Sequence, residues 1–344
     1  MSRRRFGSAL AASLALPAAT ASSSPFMPPL IKPPRLRKGD VIGLVAPGGY
    51  TSDDAIEKAV KHIEALGFRV KQGAWLREVW GNYGGTVAAR IADLHCMFRD
   101  PEVKAIWAIR GGSGCISLLQ HLDYGLIRRH PKILLGYSDI TALHLAIQAH
   151  AGLVTFHGPV ASSTPSAYSD GHMLAVLTDP RASYTIPMAA ENALKALQAP
   201  QYGIRTVHGG VASGRLVGGN LSLVSALAGT PYAADYRDAI LFIEEVNEEP
   251  YRIDRWMTQL DLSLPLAGAA ALMIGICENC GPQGEGPSLT LDQTLDVHLQ
   301  PLQVPAVSGY SFGHIRHQFT MPLGVRATLD TAAQTLTLLE PAVS

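Results

Sequence analysis

The chain has 344 residues, of which 47% are hydrophobic and 16% charged, and its 28 basic and 28 acidic side chains leave a formal net charge of zero. A chain of that size and composition can bury a large core and divides into about two domains. Zero net charge, with no run of Lys or Arg beyond the first five residues, argues against nucleic acid as a partner and leaves small molecules and peptides.

The N-terminus has a leader pattern. Ser2-Arg3-Arg4-Arg5-Phe6 precedes an apolar stretch from Ala9 to Ala21, and Ala19-Thr20-Ala21 offers small residues for cleavage. Residues 1–21 therefore read as a signal peptide of the twin-arginine type, which implies a periplasmic protein, with a cytoplasmic location as the alternative. The apolar run is short and interrupted by Pro17, so no stable membrane span is expected after leader removal. Residues 22–35, rich in Ser and Pro, read as a disordered lead-in.

Folding is expected from residue 36. Val41 to Pro47 reads as a buried strand, and Thr51-Ser52-Asp53-Asp54 as a capping signal for a helix with Ile56, Val60, Ile63 and Leu66 on one side and Gly67 at its end. Phe68 to Val70 is a short strand. A loop rich in Gly and aromatics (75–85) leads to a helix from Thr86. Ala105 to Ile109 is a buried strand that closes on Arg110-Gly111-Gly112-Ser113-Gly114, with a helix through Ile116, Leu119 and Leu122 behind it. Ile133 to Leu135 is the next strand, Asp139 to Ala151 the next helix, and Leu153 to Phe156 one strand more. This alternation predicts an α/β domain over residues 36–165, a doubly wound parallel sheet whose ligands bind outside the carboxyl ends of its strands.

Residues 166–213, in which Pro, Ser, Ala and Gly dominate, read as an interdomain connection. Over 214–340 the strands are shorter: Arg215–Val217, Ala239–Ile243, Ala270–Ile274, Ala306–Ser308, Ala327–Leu329 and Thr335–Leu338. Helices fall at 220–228 and 251–260. A smaller β-rich, mixed or barrel-like second domain is expected.

The chemistry centres on Ser138. A serine on a strand-to-helix turn has its hydroxyl pushed out of the sheet edge, beside helix N–H groups that can hold an oxyanion. The competing reading is that Ser138 or Asp139 simply caps the helix. A serine nucleophile needs a base, and the base an orienting carboxylate. His314, in the glycine-punctuated loop Gly309 to His317, is the first candidate base, with His317 and His157 as rivals. Of the acids Glu244, Glu245, Glu248 and Glu249, Glu244 is nearest the strand end; at least two of the four are expected to serve the next helix or its Arg252 and Arg255. Gly112 can supply a second oxyanion donor beside the N–H of Asp139, and Ser113 is an alternative nucleophile. The glycines there match neither a Walker loop nor GxGxxG. Cys277-Glu278-Asn279-Cys280 is one CxxC without a second ligand pair, so it reads as a loop or local disulfide rather than a metal site. Cys96 and Cys115 read as helix packing residues.

Several stretches together resemble one family, the LD-carboxypeptidases (muramoyltetrapeptide carboxypeptidases). They are Ala46-Pro-Gly-Gly-Tyr50, Gly85-Thr86 with Arg90 and Asp93-Leu94, Arg110-Gly-Gly112, Gly136-Tyr-Ser-Asp-Ile-Thr141, Thr155-Phe-His-Gly-Pro159, Gly218-Gly-Asn220, Gly229-Thr-Pro231, Glu244 to Pro250 with Arg252 and Arg255, and Gly313-His314 with Pro322-Leu-Gly324. Their order spans about residues 38 to 325. The resemblance implies a Ser–Glu–His triad of Ser138, Glu244 and His314, with no metal and no cofactor. It also implies a flavodoxin-like or Rossmann-like N-terminal domain, a barrel-like C-terminal domain, a site between them, and a homodimer. The implied reaction is hydrolysis of the LD-peptide bond before the terminal D-alanine of a murein tetrapeptide or muropeptide. The N–H groups of Asp139 and Gly112 would hold the oxyanion, and Arg110 would meet the terminal carboxylate, the competing reading being that it braces the loop internally. Members of the same family hydrolyse microcin-type peptidyl-nucleotide antibiotics, and a muropeptide-binding protein without catalysis is the non-enzymatic alternative. The chain departs from many relatives in having Ser113 in place of an aromatic residue, and in its leader.

The leader reading is checked by fusing residues 1–35 to a reporter that folds before export. Secretion is expected, and changing Arg3 and Arg4 to Lys should abolish it; retained export excludes the twin-arginine route.

Overall fold

A computed structural model describes residues 28–344, so the leader and the first part of the lead-in lie outside the described residues. The first half runs β1 (Val41–Val45), α1 (Asp53–Ala65), β2 (Arg69–Gln72), α2 (Val87–Arg99), β3 (Val103–Ala108), α3 (Tyr124–Arg129), β4 (Ile133–Gly136), α4 (Thr141–Ala151) and β5 (Phe156–His157). β1 and β4 are buried at every position, as their uninterrupted apolar runs require of strands covered on both faces. Ser52 caps α1 by accepting from the N–H of Ala55 at 3.3 Å, and Thr86 caps α2 in the same way through Ala89. The helix expected through Ile116 is a 3-10 segment, Cys115–His121, and Ser138–Ile140 forms a short 3-10 turn ahead of α4.

The second half runs α5 (Ala167–Thr178), β6 (Tyr184–Ile186), α6 (Ala190–Lys195), β7 (Arg205–His208), β8 (Val211–Asn220), α7 (Leu221–Ala226), β9 (Ala239–Glu244), α8 (Pro250–Ser263), β10 (Ala271–Gly275), α9 (Leu291–Leu299), β11 (Ala306–Tyr310), β12 (Met321–Pro322), β13 (Arg326–Asp330) and β14 (Thr335–Leu338).

These strands form two sheets. The first has the order β12-β5-β4-β3-β1-β2, parallel except where β12 joins β5. Its 2-1-3-4-5 core is the flavodoxin-like order, and the strand order reverses beside β1 and β3, so the loops after those strands flank the expected ligand crevice. The second sheet has the order β6-β14-β13-β8-β9-β10-β11-β7, with β8 to β11 parallel and its outer pairings antiparallel. The α/β class and two-sheet organisation match expectation. The second sheet is open, however: β6 and β7 stand at opposite ends, so it does not close as a barrel.

α4 joins the two sheets. Nearly all its residues are buried, including the polar Thr141, His144 and Gln148, because it packs on the first sheet and on β8 and α7. At the contact, Thr141 Oγ1 accepts the N–H of Asn220 at 3.0 Å. Gly219, at φ +141°, lets β8 come that close: a Cβ there would lie 2.5 Å from both Oγ1 and Cγ2 of Thr141. The chain also crosses between the sheets directly, since β11 belongs to the second and β12 to the first.

Three expectations are corrected. Residues 28–35 are not a disordered lead-in: Ile31 bridges Leu153, Arg35 N–H donates to Ser344 O at 2.9 Å, and Lys32 pairs with Glu340 at 2.6 Å. Residues 166–213 are not a bare connection, for they hold α5 and both edge strands of the second sheet; their short strands and Ala-rich helix carry little periodicity. Cys115 is buried as expected, but Cys96 is exposed; Cys277 and Cys280 lie in a loop, one of the two expected outcomes, and are buried free thiols. Helix α9 was missed although Thr290 and Gln293 form a capping box. Among the described residues no helix is long and apolar enough to cross a membrane.

Gly219→Ala is expected to lower stability by about 2 kcal/mol in chemical denaturation, through overpacking against Thr141 and the loss of a favourable φ. Adding Thr141→Ala should recover part of that loss, since it removes the clash and leaves the backbone strain.

Candidate active site

Ser138 follows β4 directly and sits at φ +64°, a left-handed conformation that a serine adopts only under constraint. The constraint comes from three loops packed together. The loop after β3 passes so close that a Cβ on Gly111 would lie 2.7 Å from Ser138 Cβ, 2.9 Å from its Oγ and 3.2 Å from the N of Asp139. The loop after β1 is tied to it by Gly49 N–H donating to Gly111 O at 2.8 Å. Asp139 binds the loop after β3 with its side chain, Oδ2 accepting from Cys115 N–H at 2.9 Å. Behind them the buried Arg90 of α2 donates through Nη1 to Pro47 O at 2.8 Å and to Gly114 O at 3.1 Å. Burial pulls the Arg90 pKa down, partly countered by Cys115 and Asp139.

Of the expected oxyanion residues, Asp139 follows Ser138 directly, whereas Gly112 is one residue removed from the closest approach to the serine. Gly111 backs Ser138, while Gly112, at φ +96°, approaches Gly49. Arg110 is exposed and donates through Nη1 to Tyr50 O at 3.1 Å, so part of its role is to brace the loop after β1. Ser113 accepts from Asn82 Nδ2 at 2.8 Å and holds the aromatic loop rather than facing a base.

Glu244 is the last residue of β9 and is wholly buried. Its Oε2 accepts from His314 Nδ1 at 2.7 Å. His314 lies in the crossing from β11 to β12, where Gly313 at φ +116° turns the chain; a Cβ at Gly313 would press on Ile276 O and on Glu244. Burial disfavours the charged forms of both partners, but their mutual attraction outweighs it, raising the His314 pKa above the ordinary 6.5 and lowering that of Glu244 below 4.5. The other acids divide as expected. Glu245 accepts from Asn220 Nδ2 and Ser222 N–H at 2.9 Å, Glu248 pairs with Arg252 at 3.5 Å, and Glu249 occupies the N-cap position of α8.

The Glu244–His314 pair meets the serine turn through Tyr137, whose ring stands edge-on to the His314 ring with centroids 4.6 Å apart. Burial, and secondarily the charge of Glu244, push the Tyr137 pKa up to about 12, so the phenol stays neutral. Among the described residues no hydrogen bond joins Ser138 Oγ to His314. Such bonds are often long in unliganded enzymes and tighten around substrate. His317, the rival base, faces Glu191 at 4.0 Å instead, and His157 is buried behind the site. Composition and spacing missed Gly111, Tyr137 and the side-chain role of Asp139. Their signal was present only as neighbours of the two glycine-containing strand ends.

The LD-carboxypeptidase N-terminal domain matches residues 42–158, and the LD-carboxypeptidase C-terminal domain residues 213–329. The chain is 40% identical over 314 residues to a protein of Bacillus subtilis (strain 168) named "Probable murein peptide carboxypeptidase", covering 91% of this chain and 95% of the relative. An MccF-like protein from Bacillus anthracis str. Ames has a similar structure, with TM-score 0.79 and 30% identity, covering 90% of this chain and 99% of that one. The muramoyltetrapeptide carboxypeptidase from Oxalobacter formigenes gives TM-score 0.74 at 28% identity, covering 87% and 97%.

Since His314 must be neutral to accept a proton, kcat/KM on any substrate of this site should fall as pH drops through a pKa above 6.5. Glu244→Gln removes the charge that raises that pKa and leaves burial to lower it. The acid limb should then move to lower pH while the plateau rate falls by about 10²–10⁴-fold. A pH–rate profile checks both, and an unmoved acid limb rejects His314 as the titrating base.

Proposed function

The chain belongs to the LD-carboxypeptidase family, and from that premise we propose that it is a serine carboxypeptidase cleaving the LD-peptide bond before the terminal D-alanine of peptidoglycan tetrapeptides. The observation that carries the reading is the buried Glu244–His314 hydrogen bond of 2.7 Å, set against the strained serine turn through Tyr137.

In this mechanism His314 Nε2 takes the proton of Ser138 as the hydroxyl attacks the carbonyl carbon. Glu244 holds Nδ1–H, which selects the tautomer and stabilises the imidazolium. The carbonyl oxygen, now an anion, is held by the N–H of Asp139 and by the Gly111–Gly112 backbone, with the absence of a side chain at Gly111 leaving room beside Ser138 Oγ. Collapse breaks the C–N bond, and the amine of D-alanine departs with the proton from His314. Water, deprotonated by the same imidazole, then attacks the acyl-enzyme and releases Ser138. Arg110 is exposed at the rim and is the cation proposed to meet the substrate's terminal carboxylate. Export to the periplasm through the leader would bring the enzyme to maturing wall peptides, and a homodimer is the proposed assembly.

A second reading, hydrolysis of a microcin-type peptidyl nucleotide, is favoured by the likeness to the MccF-like protein of Bacillus anthracis. The two are separated by offering purified protein free tetrapeptide, muramyl tetrapeptide and an aminoacyl-sulfamoyl adenosine, with products read by mass spectrometry. Loss of one alanine from the tetrapeptides is expected. Cleavage of the nucleotide alone selects the second reading, and saturable binding without turnover selects a binding protein. Ser138→Ala should reduce turnover by at least about 10³-fold, and activity surviving in that variant sinks the nucleophile assignment.

A further inference from the structure

His157 is a wholly buried histidine for which the mechanism above has no use. It ends β5, paired with Gly136 of β4 on one side and Met321 of β12 on the other. Its ring meets three aromatic rings edge-on: Tyr137, Phe242 and Phe312, at centroid distances of 6.1, 5.4 and 6.5 Å. Each of these precedes a proposed triad member closely in sequence. Tyr137 is next to Ser138, Phe242 is two residues before Glu244 on the same face of β9, and Phe312 is two residues before His314. His157 thus packs against all three segments on which the proposed reacting groups ride.

Its polar atoms are as telling as its contacts. Neither ring nitrogen has a hydrogen-bond partner, and Glu244 Oε1, also fully buried, has none either. A buried donor and a buried carboxylate oxygen left unpaired in one cluster are costly, and each is the natural partner of the other. The titratable groups facing His157 are Glu244 of β9, His314 of the β11–β12 crossing, His144 of α4 and Tyr137 of the serine turn. Of these Glu244 carries the only negative charge, and it draws a ring N–H toward itself. His144 is committed elsewhere, its Nε2 donating to Gly136 O at 2.8 Å.

We propose that His157 is a positioning residue whose neutral ring donates an N–H to Oε1 of Glu244, holding the carboxylate from behind while Oε2 accepts from His314. The inference rests on Glu244 and His314 acting as the acid–base pair of the proposed function. Burial drives the His157 pKa down to about 4, so the ring stays uncharged while His314 titrates and retains one N–H to give. Removing that donor has two effects of opposite kind. The carboxylate loses its fixed orientation, which slows proton transfer. Its full charge is also left to His314, whose pKa then rises.

The test compares His157→Phe, which keeps an aromatic ring in the cluster, with His157→Gln, which keeps an N–H donor. The expected result for His157→Phe is a kcat lower by about 10–100-fold with KM within about twofold, and a His314 titration moved to higher pH. His157→Gln should recover most of the rate and return the titration toward that of the unaltered protein. Equal kcat and equal His314 titration in His157→Phe overturn the proposal, as does a His157→Gln that falls as far as His157→Phe, for then the ring matters only as packing. The His314 titration is read by imidazole NMR without substrate. An unaltered protein that fails to turn over tetrapeptide therefore refutes the proposed function while leaving this inference to its own result. Should neither variant fold, the unaltered protein decides. A slowly exchanging, downfield-shifted ring N–H on His157 is expected, and a His157 ring that titrates near neutrality or exchanges its N–H freely overturns the proposal.

Discussion

A carboxylate buried between two sheets is tolerable only when something positive or hydrogen-bonding faces it, and the Glu244–His314 contact meets that demand here. The burial that makes Glu244 expensive also makes it effective. With Glu244 wholly buried, one carboxylate oxygen at 2.7 Å shifts the histidine further than an exposed partner could. The remaining architecture sets that pair against the turn that carries Ser138, through the Tyr137 ring. β9 ends at Glu244, the proposed acid, the crossing from β11 to β12 carries His314, the proposed base, and β4 leads directly into Ser138, the proposed nucleophile.

The serine side is organised by steric closeness more than by charge. Gly111 and Gly219 let backbone approach Ser138 and Thr141 within distances that no side chain would allow, and the strained φ of Ser138 persists because neighbouring loops are locked around it. Arg90 and Asp139 do that locking from buried positions, each tying together loops that are distant in sequence. Such cross-bracing holds Ser138 in place without substrate present, which is the preorganisation that the proposed acyl transfer would need.

Much of this was legible beforehand. Uninterrupted apolar runs marked β1, β3, β4, β9 and β10, and cap residues such as Ser52 and Thr86 marked the starts of α1 and α2, because burial and capping leave local traces. Residues 166–213 left no such trace: β6 and β7 are edge strands of three and four residues whose partners lie far along the chain. The lead-in at 28–35 looked disordered for the same reason, since its order comes from Leu153, Glu340 and Ser344 rather than from its own composition.

By itself the sequence determined the α/β class, the strand-end positions of Ser138 and Glu244 and the glycine-rich loop around His314, because periodicity, turn chemistry and motif order are properties of neighbouring residues. Only the tertiary structure decided which of the acids meets which histidine, that Gly111 rather than Gly112 backs the serine, that the second sheet stays open, and that His157 lies where the three segments of the proposed triad meet. Those outcomes depend on contacts between residues 20 to 155 positions apart, whose distances are set by the packing of two sheets about α4 and by no local pattern in the chain.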